Sequence, residues 1–112
     1  MTVSLGKNRR EMKQPNDPES VEAIAERLIR LRTALGYADS QAAFAALVEI
    51  SPQAWNNYET CDRRIDIDQA RKVCRKTGVT RDWIYDGNVA GLPLSLAQRL
   101  GEPYKGTPRK RA

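Results

Sequence analysis

Amide and hydroxyl side chains are grouped on one side of a short helix predicted near residues 52–60. At about 100° per residue, Gln53, Asn56, Asn57 and Thr60 fall within an arc of roughly 100°. The other side of this helix carries Ala54, Trp55 and Tyr58. An amide offers a donor beside an acceptor, which suits the paired donor and acceptor that adenine presents in the major groove of DNA. The polar face is therefore either a base-reading surface or a surface that is simply hydrated.

The elements that must position this face are predicted to be helices. A first helix begins after the N-cap Ser20 and ends at Gly36, a residue type suited to the left-handed end of a helix. Its apolar face repeats with helical spacing at Ile24, Leu28, Leu31 and Leu35, and Arg27, Arg30 and Arg32 lie off this stripe. A second helix follows Asp39 or Ser40 and runs to about residue 48.

The third helix has the clearest beginning in the chain. Ser51 is a suitable N-cap, and proline at position 52 is favoured in the first turn because its missing N–H would have lacked a partner there. We expect Trp55 and Tyr58 to lie in the core and to tie this helix to its neighbours. A polar loop over residues 61–64 follows the helix.

Two further helices and a shorter one complete the predicted domain. The fourth covers about residues 66–77 and ends at Gly78, and a fifth begins after Thr80 and ends at Gly87. A short helix is also expected near residues 95–100. No segment shows the alternation of a strand, so the sequence predicts an all-α fold.

The 112 residues suit a single domain. We expect a flexible N-terminal arm over residues 1–18, a helical domain over 19–88, a short C-terminal helix within 89–101 and a basic disordered tail over 102–112. Residues 21–86 carry ten Lys/Arg and ten Asp/Glu, so the +5 net charge of the chain comes from its ends, mainly the tail. The tail either attracts phosphate nonspecifically or only aids solubility.

Several classes of function are not supported by the residues present. The chain has no histidine and two cysteines, Cys61 and Cys74, which are too few ligands for a zinc site. We interpret them as reduced thiols of a cytoplasmic protein, with a disulfide as the alternative. No apolar run is long enough for a membrane span, and no catalytic or phosphate-binding motif is present. The sequence therefore predicts no enzyme, cofactor, metal or membrane partner.

Residues 24–87 resemble the Cro and phage-repressor (XRE-like) helix-turn-helix family, a compact five-helix DNA-binding domain of the lambda-repressor type. The resemblance covers 64 of the 112 residues. It rests on residues 30–32 (RLR), 35–37 (LGY), 40–45 (SQAAFA), 50–52 (ISP), 55–59 (WNNYE) and 82–87 (DWIYDG). The family reads double-stranded DNA with its third helix, which here is the helix near residues 52–60.

The resemblance implies a role for individual residues. Gln53 and Asn57 match positions that commonly reach base edges, Asn56 lies beside them, and Pro52 could offer apolar contact to a thymine methyl group. Glu59 resembles a glutamate that pairs with an arginine of the first helix, here Arg32. The resemblance also implies contacts to the DNA backbone at six positions: Ser40, Gln41, Ser51, Thr60, Arg63 and Arg64.

The sequence departs from the family pattern in ways that bear on DNA affinity. Glu49 stands where the turn between the second and third helices usually has glycine, and Cys61 stands where glycine often ends the third helix. A left-handed residue at position 49 would cost about 1 kcal/mol. Asp62 places a negative charge among the expected phosphate contacts, and Ala38 and Asp39 lengthen the loop before the second helix.

These observations predict a sequence-specific transcriptional regulator, a repressor rather than an activator. The alternative is the same fold used as a protein-interaction module, such as an antiactivator, antitoxin or adaptor, which the neutral domain would suit. RNA is a poorer match, because no aromatic platform lies on a face expected to be exposed. A homodimer is expected from the family, with Leu92, Leu96 and Leu100 as the candidate surface, unless these leucines fold back onto their own core.

Overall fold

Helices separated by short connections account for the secondary structure of the part of the chain that the structure describes. The computed structural model describes residues 17–102, which contain six α-helices and no strand. The helices are α1 (Val21–Ala34), α2 (Gln41–Leu47), α3 (Pro52–Glu59), α4 (Ile67–Thr77), α5 (Arg81–Asp86) and α6 (Leu94–Arg99). The predicted all-α class is confirmed for this part of the chain. The predicted arm up to residue 16 and the tail beyond residue 102 lie outside the described residues.

The first five helices each begin at a polar side chain that caps the first turn. Ser20 and Ser51 accept hydrogen bonds from the backbone N–H groups of Ala23 and Ala54 at 3.0 and 3.1 Å. The other three caps are Ser40, Asp66 and Thr80. A cap of this kind satisfies an N–H group that has no partner inside the helix. The predicted starts of all five helices are therefore confirmed.

The core forms around aromatic residues from α2 and α3. The rings of Phe44 and Trp55 have centroids 5.1 Å apart, and Tyr58 packs edge-on against Trp55 at 6.2 Å. The α1 stripe of Ile24, Leu28 and Leu31 is buried against them, as its spacing predicted. The buried rings hold α3 against α1 and α2, which leaves the opposite side of α3 at the surface.

The C-terminal leucines belong to this same core. Leu92, Leu96 and Leu100 are 4%, 7% and 2% exposed. The prediction that they form a dimer surface is wrong, and the alternative, that the segment folds back onto its own core, is confirmed. The pattern of one leucine every four residues reports burial, and it does not distinguish the chain's own core from a second copy.

The segment after α6 is also held in place, although residue 102 was predicted to begin the disordered tail. Glu102 accepts a hydrogen bond from Trp83 Nε1 at 2.8 Å and pairs with Arg30 of α1. Arg99 donates from Nη2 to the carbonyl of Ala34 at 2.9 Å. These contacts fix the end of α6 to α1 and α5 up to residue 102.

Arg27 lies inside the fold, although its position off the apolar stripe of α1 gave no indication of burial. Its guanidinium donates to the carbonyl of Ile84 at 2.7 Å and to the carbonyl of Pro18. Burial lowers the pKa of Arg27, while the neighbouring Glu26 opposes this effect. A Cβ atom at Gly87 would stand 3.0 Å from Arg27 Nη2, so glycine leaves room for this side chain. Arg27 thereby joins the end of α5 to the segment before α1.

None of the helices within residues 17–102 is long and apolar enough to cross a membrane.

Candidate functional site

The connection between α2 and α3 has an irregular backbone that sets the direction of α3. Val48 and Ile50 point into the core, whereas Glu49 between them is exposed. Glu49 has φ 63°, and the N–H of Ile50 donates to the carbonyl of Ala45 at 2.9 Å. The left-handed conformation considered for position 49 is therefore present without glycine. Non-glycine residues adopt it at a cost of about 1–2 kcal/mol, so other contacts must compensate for it.

The two sides of α3 differ as the helical arrangement of residues predicted. Trp55 and Tyr58 are buried at 0% and 4% exposure. Gln53 and Asn56 are exposed and Asn57 is half-buried. Ser51, Pro52 and Thr60 at the two ends of the helix are exposed as well. The structure thus brings the four predicted base-reading residues, Pro52, Gln53, Asn56 and Asn57, onto one accessible surface.

An open cleft of about 360 Å³ runs between α3 and the beginning of α4. Gln53 and Asn57 line it from α3, and Asp66 and Gln69 line it from the α4 side, with Arg63 also at its edge. The cleft therefore offers amide donors and acceptors together with one positive and one negative charge. The buried phenol of Tyr58 also borders the cleft. Burial, and to a smaller extent the charge of Asp66, raises the pKa of its hydroxyl.

A buried carboxylate at the end of α3 joins the first three helices. The side chain of Glu59 is 5% exposed and accepts hydrogen bonds from Arg32 of α1, Gln41 of α2 and Trp55 of α3. The Arg32 Nε and Nη2 atoms lie 2.7 and 3.0 Å from its two oxygens, and Gln41 Nε2 lies at 2.9 Å. The predicted Arg32–Glu59 pair is confirmed. It is shielded from water, so the small contribution typical of exposed pairs does not apply to it.

The residues predicted to contact the DNA backbone lie at the start of α2, at the two ends of α3 and in the loop after α3. Ser40 and Ser51 are the N-caps of α2 and α3, and their side chains accept hydrogen bonds from backbone N–H groups within those helices. Gln41, beside Ser40, donates to Glu59 and thereby braces α3. Each of these three polar groups has a structural role that does not depend on any partner.

The loop after α3 carries the other three residues of this set. Arg63 and Arg64 are both exposed, and Arg64 Nη1 donates to the carbonyl of Glu19 at 2.7 Å. The hydroxyl of Thr60 donates to Asp62 Oδ2 at 3.1 Å. Cys61, which begins the loop, has φ 68°, so the position where the family often has glycine is left-handed here too. Arg63 is the cation of this loop that lies on the cleft.

Two lysines of α4 complete the surface around the α2–α3 connection, and the sequence did not indicate them. Lys72 Nζ donates to the backbone carbonyl of Glu49 at 3.1 Å, and Lys76 Nζ lies 3.1 Å from the Glu49 carboxylate. The hydrogen bond to Lys76 and its charge lower the pKa of Glu49. The lysines were detectable only as part of a charged face of α4. Their position beside α3 depends on how α4 packs, which the sequence does not specify.

The cysteines and the acidic residues provide no other type of site in the described part of the chain. Cys61 and Cys74 are both free thiols, so the alternative of a disulfide is not realised. Burial raises the pKa of each thiol. Within residues 17–102, no three side chains of the types that bind metals lie close enough together to hold an ion.

Comparison of the chain with protein-family models, curated proteins and solved structures gave no match.

Proposed function

We propose that the protein is a sequence-specific, double-stranded DNA-binding regulator that presents α3 to the major groove. The observation that carries the proposal is the exposed amide surface of α3, formed by Gln53, Asn56 and Asn57 opposite a fully buried Trp55. Amides can form paired hydrogen bonds with the edge of adenine, which gives a reason for their presence on a short helix. Asparagine forms helices poorly, so helix propensity does not explain the two adjacent asparagines.

The way α3 is held favours a reading role. A helix that discriminates between bases must keep its side chains in a fixed register, because each specific contact depends on hydrogen-bond geometry. Trp55 packs against Phe44, and Glu59 is fixed by Arg32 and Gln41. The middle and the C-terminal end of α3 are therefore fixed to the core, while the amides themselves remain accessible.

Contacts to the DNA backbone would come from the ends of α2 and α3 and from the loop after α3. Arg63 and Arg64 are exposed in the loop after α3, and Arg63 borders the cleft beside Gln53 and Asn57. Ser40 and Gln41 lie at the beginning of α2. Such contacts orient a protein on the duplex and carry no sequence information. In this proposal the arginines supply affinity and the amides supply specificity. We further propose repression as the mode of regulation, since occupancy of a site by a compact domain is sufficient for it.

The experiment is selection from a pool of random duplexes by the purified full chain at physiological salt. The proposal predicts enrichment of one motif, and Asn57→Ala should lose that enrichment. Arg81→Gln serves as a control, because Arg81 is an exposed residue of α5 outside this surface. No enrichment by the folded wild-type protein would refute sequence-specific binding. A palindromic motif would add the homodimer, in which two copies of α3 lie about 34 Å apart on the duplex.

The second candidate function is a protein-interaction module. The acidic residues at the candidate surface favour it: Asp66 lines the cleft and Asp62 is exposed beside Arg63. Both carboxylates would repel phosphate, whereas a protein partner could pair with them. A protein that selects no duplex but binds a protein partner through this cleft, with binding lost in Asn57→Ala, would establish this function in place of DNA recognition.

A further inference from the structure

The outer side of α4 carries a concentration of positive charge next to the α2–α3 connection. Arg71, Lys72, Arg75 and Lys76 fall within two turns of the helix, and all are exposed or half-buried. Asp68, one turn earlier, is the acid within α4. Residues 21–86 carry no net charge as a whole, so these four side chains form a basic patch on a neutral domain. A basic patch of this kind attracts polyanions.

The lysines of this group lie on the side of α4 that borders the α2–α3 connection. Gln69, Lys72 and Lys76 have the spacing i, i+3 and i+7, which places them in one row along the helix. Gln69 at the start of the row lines the cleft beside Asn57. Lys72 and Lys76 further along contact Glu49, which lies in the α2–α3 connection three residues before Pro52. A continuous polar surface therefore extends from the amides of α3 to the lysines of α4.

In the free protein, the Glu49 carboxylate lies where an anionic ligand of Lys76 would bind. Its carboxylate lies 3.1 Å from Lys76 Nζ, a distance suited to a charge-assisted contact. The side chains of Glu49 and Lys76 are 58% and 40% exposed, so water screens the pair and competing ions can reach it. The backbone carbonyl of Glu49 holds Lys72 beside the same carboxylate. The chain itself therefore supplies an oxygen to each lysine: the Glu49 carboxylate to Lys76 and the Glu49 carbonyl to Lys72.

We propose that Lys72 and Lys76 form a second contact to the phosphodiester backbone of duplex DNA, which Glu49 occupies in the free protein and vacates on binding. The inference rests on the proposed function, because it takes the DNA presented to α3 as the ligand. A phosphate that approaches Lys76 repels the ionised carboxylate of Glu49, and the two anions cannot share one ammonium group at close range. Glu49 therefore weakens DNA binding while it supports the left-handed turn in the free protein.

The charge of Glu49 can be removed without changing the shape of the turn. Glu49→Gln keeps a side chain of the same size at φ 63°, so any backbone strain remains the same. Glu26→Gln is the matched control: Glu26 is 60% exposed and pairs with Arg30 on α1, and its replacement changes the net charge equally. Lys76→Gln removes one cation of the patch, with Arg81→Gln as its control outside the patch.

The measurement is the dissociation constant of each full-length variant for a fluorescent 20-base-pair duplex, titrated between low and physiological salt. Glu49→Gln should bind about two- to five-fold more tightly than Glu26→Gln at low salt, which is the range typical of an exposed ion pair. Lys76→Gln should bind more weakly than Arg81→Gln, and its slope of log K against log salt should be shallower by about 0.9, the value of one lost phosphate contact. In Glu49→Gln/Lys76→Gln the gain from the first change should disappear.

Equal affinities of Glu49→Gln and Glu26→Gln, or equal salt slopes of Lys76→Gln and Arg81→Gln, would overturn the proposal. Because backbone contact does not require a particular sequence, this titration uses an arbitrary duplex and also the motif obtained by selection. An enriched motif with no effect at positions 49 and 76 would refute this inference and leave the proposed function intact. Effects at positions 49 and 76 without any enriched motif would support a phosphate contact in a protein that does not discriminate between sequences.

Discussion

Replacement of Glu59 by glutamine should destabilise the whole domain, because this one carboxylate links three helices. The change keeps the size of the side chain and removes its charge. In the native protein the two carboxylate oxygens accept from Arg32, Gln41 and the Trp55 indole. A glutamine amide accepts on one side only and places its own N–H₂ group against donors on the other. The side chain of Arg32, which is 12% exposed, then loses its counter-charge in a poorly hydrated position.

The size of the effect follows from the burial of the pair. Removal of one partner of a buried ion pair costs about 3–5 kcal/mol, whereas an exposed pair contributes about 0–1 kcal/mol. Arg32 also donates to the carbonyls of Tyr37 and Ala38 at 2.9 and 3.0 Å, and these bonds remain after the change. We therefore expect the lower end of the range, about 3 kcal/mol. For a domain of this size that corresponds to a fall in Tm of roughly 12–24 °C.

The assay is urea and thermal unfolding of Glu59→Gln followed by circular dichroism, with Glu26→Gln as the control. The control makes the same chemical change in the exposed Glu26–Arg30 pair and should lower the free energy of unfolding by less than about 1 kcal/mol. A double-mutant cycle with Arg32→Gln should give a coupling energy above about 1 kcal/mol. Equal losses in Glu59→Gln and Glu26→Gln would refute the account of Glu59 as the residue that fixes α3.

Three further predictions concern the backbone, the core and alkaline pH. Cys61→Gly should raise the free energy of unfolding by about 1 kcal/mol in urea denaturation, because Cys61 has φ 68°, and a loss would show that its side-chain contacts matter more than strain. Leu96→Ala should lower the free energy of unfolding by about 2–5 kcal/mol, because Leu96 lies in the chain's own core. The molar mass from light scattering should stay the same, and a change of oligomeric state would contradict this prediction. Burial raises the pKa values of Tyr58, Tyr85 and Cys74 in the folded protein. The free energy of unfolding should therefore be highest below their unfolded pKa values and should fall as the pH rises from about 8.5 past 10. A constant free energy of unfolding over this pH range would contradict the burial of these groups.

The helices of this protein were predictable because their boundaries are encoded locally. Ser20, Ser51 and Thr80 cap the helices that follow them, and each hydrogen bond spans only three residues. The separation of α3 into a buried and an exposed side followed from the same short-range periodicity. The amide surface could therefore be predicted in full, from the residue types and their spacing within a single helix.

Features that depend on packing between distant segments were not predictable in the same way. Arg27 reaches a carbonyl 57 residues away at Ile84, and Glu102 is held by Arg30 and Trp83. The apolar pattern of Leu96 and its neighbours showed that they are buried and left open which surface buries them. Lys76 looked like one charge among many until α4 placed it at Glu49. In each case the sequence specifies a residue's chemistry, and the tertiary fold specifies its partner.

A base-by-base specificity profile tests whether the amides of α3 distinguish between bases. The dissociation constants of the wild type, Asn57→Ala and Arg63→Ala are measured on the selected duplex and on every single-base-pair variant of it. Asn57→Ala should lose about 1–3 kcal/mol of discrimination at one base pair and retain it elsewhere. Arg63→Ala should weaken binding to all duplexes by the same factor. Identical profiles for Asn57→Ala and Arg63→Ala, or an unchanged profile for Asn57→Ala, would contradict base recognition by the α3 amides.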